Sequence, residues 1–548
     1  MRAARTGAAH TDARSGNAPL TRAATSPPTG RACVCAALER ELGFGLDACL
    51  ARRWPYADSY FGGEGSGGVP SNQRLRVHKV RAAAHRPRAL RARAAGTRPS
   101  NRPSIIAPPP LHLTRPPGRP YTRRLALRAQ EYGRVDRHAL KARAMQKLEA
   151  LDVTLLRTGV GVSAPAAPQH ERGASIISCD DGRRVRAKLV VDASGFNSKL
   201  TRRAGSASPG YQIAYGLLAE IDNYPYDDDA MLFMDFRTDY LPAEGTLTTE
   251  GRLGAPRTIS REEAERFPTF LYAMPMGVCE NGRRRVFFEE TNLVGRPPMA
   301  VDECRARLEA RLQHLGITVH STSEEEKCFI PMGTALPSAH NRILAIGGAA
   351  ATVHAATGFQ LCRGLASSIT LARTMATSLD AARADPAAFD ASAAAAAAYA
   401  ALWSKEARLQ RDFCVFGGDF LMAQPASSVR GFFTGFFGLA DAEWMGFLAG
   451  WRGLPHNDAH DVWHRRLMFG VRMWLLVPPA VKLQLALTAV FSGGLVFFRS
   501  VLPVLQETTF DEEDAPPTDD LAAALVASGI QPAAEGANVE REVVGARK

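Results

Sequence analysis

The sequence predicts an α/β (α+β) core followed by a helical carboxy-terminal region, and three observations predict it. Alternating apolar patterns at 212–221, 231–236, 269–275 and 285–291 read as strands, and a helical pattern follows at 301–315. A short apolar run at 343–346 passes straight into Gly347-Gly348 and then into helix-forming composition over 358–379, the strand, glycine loop, helix order of an α/β unit. Past Asp380 the chain turns to alanine-rich helix at 391–401 and then to aromatic-rich segments such as Gly431-Phe432-Phe433-Thr434-Gly435-Phe436-Phe437, a composition that suggests exposed aromatics and an apolar partner.

Read in order, residues 1–31 carry five arginines against a single acid, Asp12, among several Ser and Thr, as an organellar transit peptide does; an arbitrary disordered terminus reads the same way. The formal charge of +12 invites a nucleic-acid partner, but fifteen Arg or Lys and no acid fall between Val69 and Gln130, so the basicity is one local block. That block is rich in Pro and Ala and lacks interleaved aromatics, which predicts a linker that neither packs nor stacks on bases, and no nucleic-acid partner. Ordered structure is expected from Glu131 onward: a helix in which Leu140, Met145, Leu148 and Leu151 recur, then strands at 153–162, 175–179 and 185–191, the last two joined by a hairpin at Asp181-Gly182. The sixteen uncharged residues at 483–498 fall short of the ~20 that cross a bilayer as a helix, so an interfacial attachment is expected, with a buried core helix as the other reading. These boundaries divide the chain into an amino-terminal region 1–130, a core 131–380, a helical, membrane-associating region 381–505 and an acidic, disordered tail 506–548. The nine cysteines are scattered without a C-x-x-C pair, which points to a reducing compartment and no metal site.

A dinucleotide site needs a buried strand, a tight glycine turn and a helix aimed at the phosphates. Three glycine runs have the letters without the context. Gly43-Phe44-Gly45 follows the charged Glu39-Arg40-Glu41, Gly63 to Gly68 is followed by no acid until Glu131, and Gly159-Val160-Gly161 runs into Pro165 and Pro168. Two weaker segments have proper context. Leu189-Val190-Val191-Asp192-Ala193-Ser194-Gly195 resembles the strand and turn that close the nucleotide-binding sheet of FAD-dependent hydroxylase-type proteins, and 343–349 with Val353-His354-Ala355-Ala356-Thr357-Gly358 resembles their second flavin-contacting loop.

Over roughly 131–448 the residues resemble plant-type lycopene cyclases. The segments that carry the resemblance, in family order, include Gln212-Ile213-Ala214-Tyr215-Gly216-Leu217, Phe233-Met234-Asp235-Phe236-Arg237, Phe267 to Pro275, Arg285-Val286-Phe287-Phe288-Glu289-Glu290-Thr291 and Cys328-Phe329-Ile330-Pro331-Met332-Gly333. Two departures stand out: the glycine-rich fingerprint with which the family begins has no counterpart, which suggests an incomplete or altered amino terminus, and Ala355 replaces the proline usual after Val-His. The resemblance implies a Rossmann-like FAD-binding fold of the hydroxylase/reductase type with a mixed-sheet substrate domain, reduced FAD as cofactor and NADPH as its reductant. It implies lycopene and monocyclic carotene as substrates, other carotenoid enzymes as partners, and a place at a plastid membrane surface. Arg134, Asp192, Ala193, Ser194, Gly195, Gly347, Gly348, His354, Thr357 and Gly358 are the residues it suggests for the cofactor.

Closing a lycopene end requires protonation of an isolated alkene, attack by a neighbouring double bond on the cation and loss of a different proton, with no net oxidation. Such an acid must stay neutral in a dry site, and burial raises a carboxyl pKa for that purpose. Glu289 and Glu290, beside Phe287 and Phe288, are the candidates; on a strand neighbours point to opposite faces, so at most one faces the cavity, and Glu289 is the first choice. Asp235 and Arg237 are candidates for shaping the same cavity or for a structural ion pair, and Phe270, Tyr272 and Phe288 for stabilising a cation. Met332, Gly347-Gly348 and Asn292-Leu293-Val294 favour the β-ring form, Met274-Pro275-Met276 the ε-ring form; a redox flavoprotein such as a prenyl reductase or hydroxylase is the competing class.

Overall fold

A computed structural model describes residues 38–61, 74–79, 122–127, 132–162, 166–205, 209–506, 514–515 and 520–530, apart from 40, 41, 44 and 55. The transit-like segment, the glycine run 63–68, most of the basic block, Glu131 and most of the acidic tail lie outside the described residues. The strands in chain order are β1 (Leu50–Trp54), β2 (Tyr56–Tyr60), β3 (Arg74–Lys79), β4 (Thr122–Leu127), β5 (Tyr132–Val135), β6 (Gln169–Glu171), β7 (Ala174–Ser178), β8 (Arg184–Ala187), β9 (Val191–Asp192), β10 (Arg203–Ala204), β11 (Gly210–Asp222) and β12 (Ala230–Asp235). After them come β13 (Thr246–Thr248), β14 (Thr258–Ser260), β15 (Thr269–Val278), β16 (Arg284–Asn292), β17 (Thr318–Met332) and β18 (Leu344–Ala345).

Eight strands form one mixed sheet in the order β17-β11-β16-β15-β12-β2-β3-β4. Its centre is antiparallel, and β2 joins β12 in parallel. The four strands expected at 212–221, 231–236, 269–275 and 285–291 are β11, β12, β15 and β16, each within a few residues of its expected bounds. Strands β3 and β4 correct the reading of the basic block as unpacked linker: short alternating stretches such as Arg74-Leu75-Arg76-Val77 carry a strand period inside a Pro-rich surround.

Alternation along the central strands separates two cores. Ile213, Tyr215, Leu217, Leu271, Ala273, Val286 and Phe288 meet helix Val301–His314 on one face, through Cys304, Leu308 and Leu312. On the other face, Phe270, Met274 and Phe287 join a core with Phe413, Phe420, Val429, Phe433 and Phe436 from the helices Lys405–Met422 and Ala426–Phe436. A single core therefore crosses the expected boundary at 380. Phe433, Phe436 and Phe437 are buried in it, so the aromatic segment at 431–437 is an interior wall and not an exposed surface.

The hairpin at 181–182 forms as expected between β7 and β8, with Gly182 at φ +83°. The run 153–162 does not form a strand. Only Val160 bridges Cys179, and Leu155, Leu156 and Val162 stay exposed, because no neighbour among the described residues offers 153–159 a ladder. Towards the carboxy terminus, Trp463–Leu476, Pro479–Thr488 and Gly494–Val501 are helical, the last two joined by a π turn. Together 479–501 make a stretch of 23 residues, long and apolar enough by length and composition to cross a membrane, which corrects the expectation of a run too short to do so. Gly494 breaks its course at φ +45°, and Arg499 Nε donates to Asp412 at 2.7 Å, tying its final turns to the helix 405–422.

Candidate active site

Strand β16 sorts the two glutamates. Glu289 lies opposite Tyr272 of β15 and Gly216 of β11, on the face of Phe287 and Thr291; Glu290 points the other way. Glu289 enters a cavity of about 240 Å³ whose walls include Phe233, Phe270, Tyr272, Phe432, Phe433 and Phe436, and among the described residues it is the one charged side chain lining that cavity. Its carboxyl accepts no hydrogen bond from a protein donor among the described residues. Burial, with the Glu326 carboxylate adding to it, pushes its pKa up to about 7, while Arg134 works in the opposite direction. What exposure it keeps is towards the cavity. Tyr272 donates to Tyr132 at 2.6 Å on the same wall, and burial holds Tyr132 neutral with a pKa of about 12.

Glu326 acts on Glu289 through the sheet. Gly216 pairs with Glu289 on one side and Glu326 on the other, so the three stand in one row on one face. A Cβ at Gly216 would lie 2.9 Å from the Phe287 ring and 3.2 Å from the Phe288 carbonyl, which is why glycine occupies the middle of the row.

Glu290 is fully buried on the opposite face, 2.8 Å from Arg311 Nε, and accepts from Thr269 Oγ1. Arg311 also donates to the Arg237 carbonyl at 2.7 Å, and Arg307 pairs with Glu303 at 2.7 Å one turn earlier on the same helix. Asp235 and Arg237 belong to this network. Asp235 pairs with Leu271 in register, and so faces away from the cavity; Arg237 Nε donates to it at 2.9 Å and stacks over Tyr60. Burial alone would raise the Asp235 pKa, but the bonds from Arg237 outweigh it and leave the carboxyl below its ordinary value. The candidates Glu290, Asp235 and Arg237 therefore form a structural ion cluster beneath the helix 301–314, and strand parity is the reason. The same parity turns Phe288 away, while Phe270 and Tyr272 line the cavity. Sequence reasoning missed Arg307 and Arg311; their spacing of four on a helix charged on every side was the available signal.

The residues suggested for a cofactor divide. β9 and β18 pair in parallel, Val191 with Leu344 and Asp192 with Ala345, which brings 193–195 against 347–348. A Cβ at Gly348 would stand 2.8 Å from the Phe196 amide nitrogen and 3.2 Å from the Gly195 carbonyl carbon, so the two loops touch. Gly348→Ala is expected to destabilise the fold by about 1–3 kcal/mol, read as a lower denaturation midpoint; an unchanged midpoint would contradict this close approach. Asp192 is buried and holds its own loop, accepting from the Ser194 amide at 2.9 Å and Thr201 Oγ1 at 2.7 Å, while Ala193 and Ser194 remain exposed. Gly347 and Gly358 take φ +64° and +70°. His354 is fully buried, kept neutral by burial and by Arg363, and its Nδ1 accepts from the Ala356 amide at 3.2 Å. Thr357 and Ala356 line the Glu289 cavity, so the glycine loop descends directly into its wall. Arg134 sits elsewhere: it pairs with Glu324 at 3.3 Å and lies over Phe287, next to the acid and not in the paired loops.

The loop pair 191–195 and 344–358 gathers most of the residues that the resemblance suggests for a flavin cofactor. No strand, glycine turn and helix for a pyrophosphate occurs among the described residues; the loop at Gly45 is closed by Glu39, whose carboxylate accepts from the amides of Gly45 and Leu46. That half of an FAD site is without a counterpart among the described residues.

A mixed sheet that places a carboxylic acid, with no hydrogen-bond donor among the described residues, in an aromatic cavity flanked by paired glycine loops defines an α/β protein built around a buried acid whose pKa is raised by burial. The chain belongs to the lycopene cyclase family, whose profile, described as lycopene cyclase protein, matches residues 121–462. It is 38% identical over 324 residues to the chloroplastic lycopene beta cyclase of Solanum lycopersicum, covering 59% of each chain. It is 36% identical over 327 residues to that of Arabidopsis thaliana, covering 60% of each. The match thus spans about 60% of the length of these curated relatives. Among solved structures, a geranylgeranyl bacteriochlorophyll reductase-like protein from Thermoplasma acidophilum is similar over 72% of this chain and 78% of its own, with 12% identity and a TM-score of 0.41.

Proposed function

We propose that this protein is a lycopene beta-cyclase that closes the linear ends of lycopene, and of the monocyclic carotene formed first, into β-ionone rings without net oxidation. The observation that carries the reading is Glu289: a carboxylic acid with no hydrogen-bond donor among the described residues, its pKa raised to about 7, in an aromatic cavity. The protonated Glu289 carboxyl gives its hydrogen to the terminal alkene and leaves a tertiary cation. The neighbouring double bond attacks that cation, the ring closes, and a different hydrogen leaves a ring carbon as a proton to the Glu289 carboxylate, which forms the new double bond and restores the acid. Proton count and electron count are unchanged from substrate to product. The π faces of Phe270, Tyr272 and Phe433 stabilise the cation, and the apolar walls keep out water that would trap it as an alcohol.

The reading carries reduced FAD as cofactor, with NADPH as its reductant, on the loops 191–195 and 344–358; with the pyrophosphate half lacking a counterpart among the described residues, no step above runs through it. Chloroplastic relatives support a plastid location. The exposed Trp474, Leu475, Leu483, Leu487, Val490 and Phe491 support attachment to a membrane surface, and the break at Gly494 favours an interfacial helix over a span.

Product analysis tests the assignment. Lycopene-accumulating cells that express the chain are expected to form monocyclic and bicyclic β-ring carotenes. Products with ε rings would assign the other ring type, and reduced nicotinamide consumed in proportion to product would assign a redox flavoprotein.

A further inference from the structure

A second apolar chamber adjoins the first. It measures about 440 Å³ and lies among the helices 405–422, 426–436, 463–476, 479–488 and 494–501. Gly417, Phe432, Phe436 and Phe447 line both chambers, so three aromatic rings and a glycine with no side chain form a shared wall between them. Among the described residues Arg466 is the single charged one in the lining of the second, and its guanidinium donates to the carbonyls of Ser500 at 2.7 Å and His460 at 2.9 Å. The far side opens at Val471 and Trp474, which line the chamber yet are 42% and 44% exposed, within the apolar rim described above.

The Glu289 cavity alone is smaller than the ~300–1,000 Å³ of sites that enclose a ligand of moderate size, whereas the two chambers together fall inside that range. A void lined by hydrocarbon holds no water and destabilises the fold unless something apolar fills it. We propose that the second chamber is the sleeve for the unreacted length of a linear polyene hydrocarbon, which enters beside Trp474 and reaches Glu289 past Phe432, Phe436 and Phe447. The identity of that hydrocarbon as lycopene rests on the cyclase reading; the sleeve itself rests on the continuity and chemistry of the two cavities.

Gly470 gives a direct test. It lines the chamber, and a Cβ there meets nothing within 4 Å, so Gly470→Phe adds a ring to the void without a clash in the helix. Ala486→Phe fills the same space from a different helix and guards against one variant failing to fold. The full chain in detergent micelles is titrated with lycopene, and binding is read as quenching of tryptophan emission, with thermal midpoints measured alongside. The expected result is quenching in the parent, and binding weakened at least about tenfold in a filled variant that melts with the parent. Lycopene binding equal to the parent in a folded, filled variant would overturn the sleeve. Glu289→Gln is expected to bind lycopene as the parent does, so a failure of the acid assignment appears in its product yield and a failure of the sleeve in the binding curves.

Discussion

Glu289→Gln is expected to reduce cyclisation by about a thousandfold, in the range that loss of a positioned acid costs, with little change in the lycopene concentration needed for half-maximal rate. The amide keeps the shape of the side chain and cannot deliver the proton, so the effect falls on turnover. In the parent the rate is expected to fall as pH rises through about 7, because the reacting form is the protonated one. Stability moves with it. The folded pKa lies above the ordinary 4.5 of a glutamate, so the folded state holds a proton that the unfolded chain has lost between those values. The parent therefore loses stability as pH climbs through that window, and above it carries a buried charge. Glu289→Gln removes the penalty: at pH 8 the variant is expected to be more stable than the parent by on the order of 2 kcal/mol, and near pH 5 the two should unfold at nearly the same denaturant concentration. A variant that cyclises at the parent's rate would end the assignment.

Arg311→Met is expected to have the opposite signature, with a large loss of stability and no direct effect on the acid. It leaves Glu290, fully buried, without the guanidinium 2.8 Å away, a change that typically costs 3–5 kcal/mol. Replacing both partners, Glu290→Met with Arg311→Met, is expected to recover most of that loss, short by about 1 kcal/mol for the Arg237 carbonyl that Arg311 also serves. Denaturant titrations of the two singles and the double measure the coupling. Equal destabilisation in the single and the double would show that the pair is not coupled as its geometry indicates.

The central sheet and the parting of the two glutamates to opposite faces were legible because strand alternation is a strong local signal: once 285–291 reads as a strand, Glu289 and Glu290 must point to opposite sides. What followed from neighbours was not legible. Asp235 and Arg237 read either as cavity residues or as a structural ion pair until the pairing of Asp235 with Leu271 fixed their face in favour of the ion pair. Strand β17 went unseen because Glu324 to Lys327 interrupt its pattern, and an edge strand half open to solvent tolerates such a run. The stretch 153–162 was misread for the converse reason, since apolar alternation makes a strand only where another strand accepts its hydrogen bonds. Arg307 and Arg311 drew no notice on the helix 301–314; Arg307 pairs with Glu303 on that helix, while the burial of Arg311 depends on Glu290, 21 residues away in β16.

The row formed by Glu289, Gly216 and Glu326 means that the strength of the interior acid is governed in part from the rim of the sheet. A half-buried carboxylate on an edge strand, outside the cavity lining, helps keep the interior one charge-shy, and the side-chain-free residue between them leaves nothing to damp the influence. Glu326→Gln is thus expected to lower the Glu289 pKa without reshaping any wall of the cavity that Glu289 lines, read as a shift of the pH at which the parent loses stability.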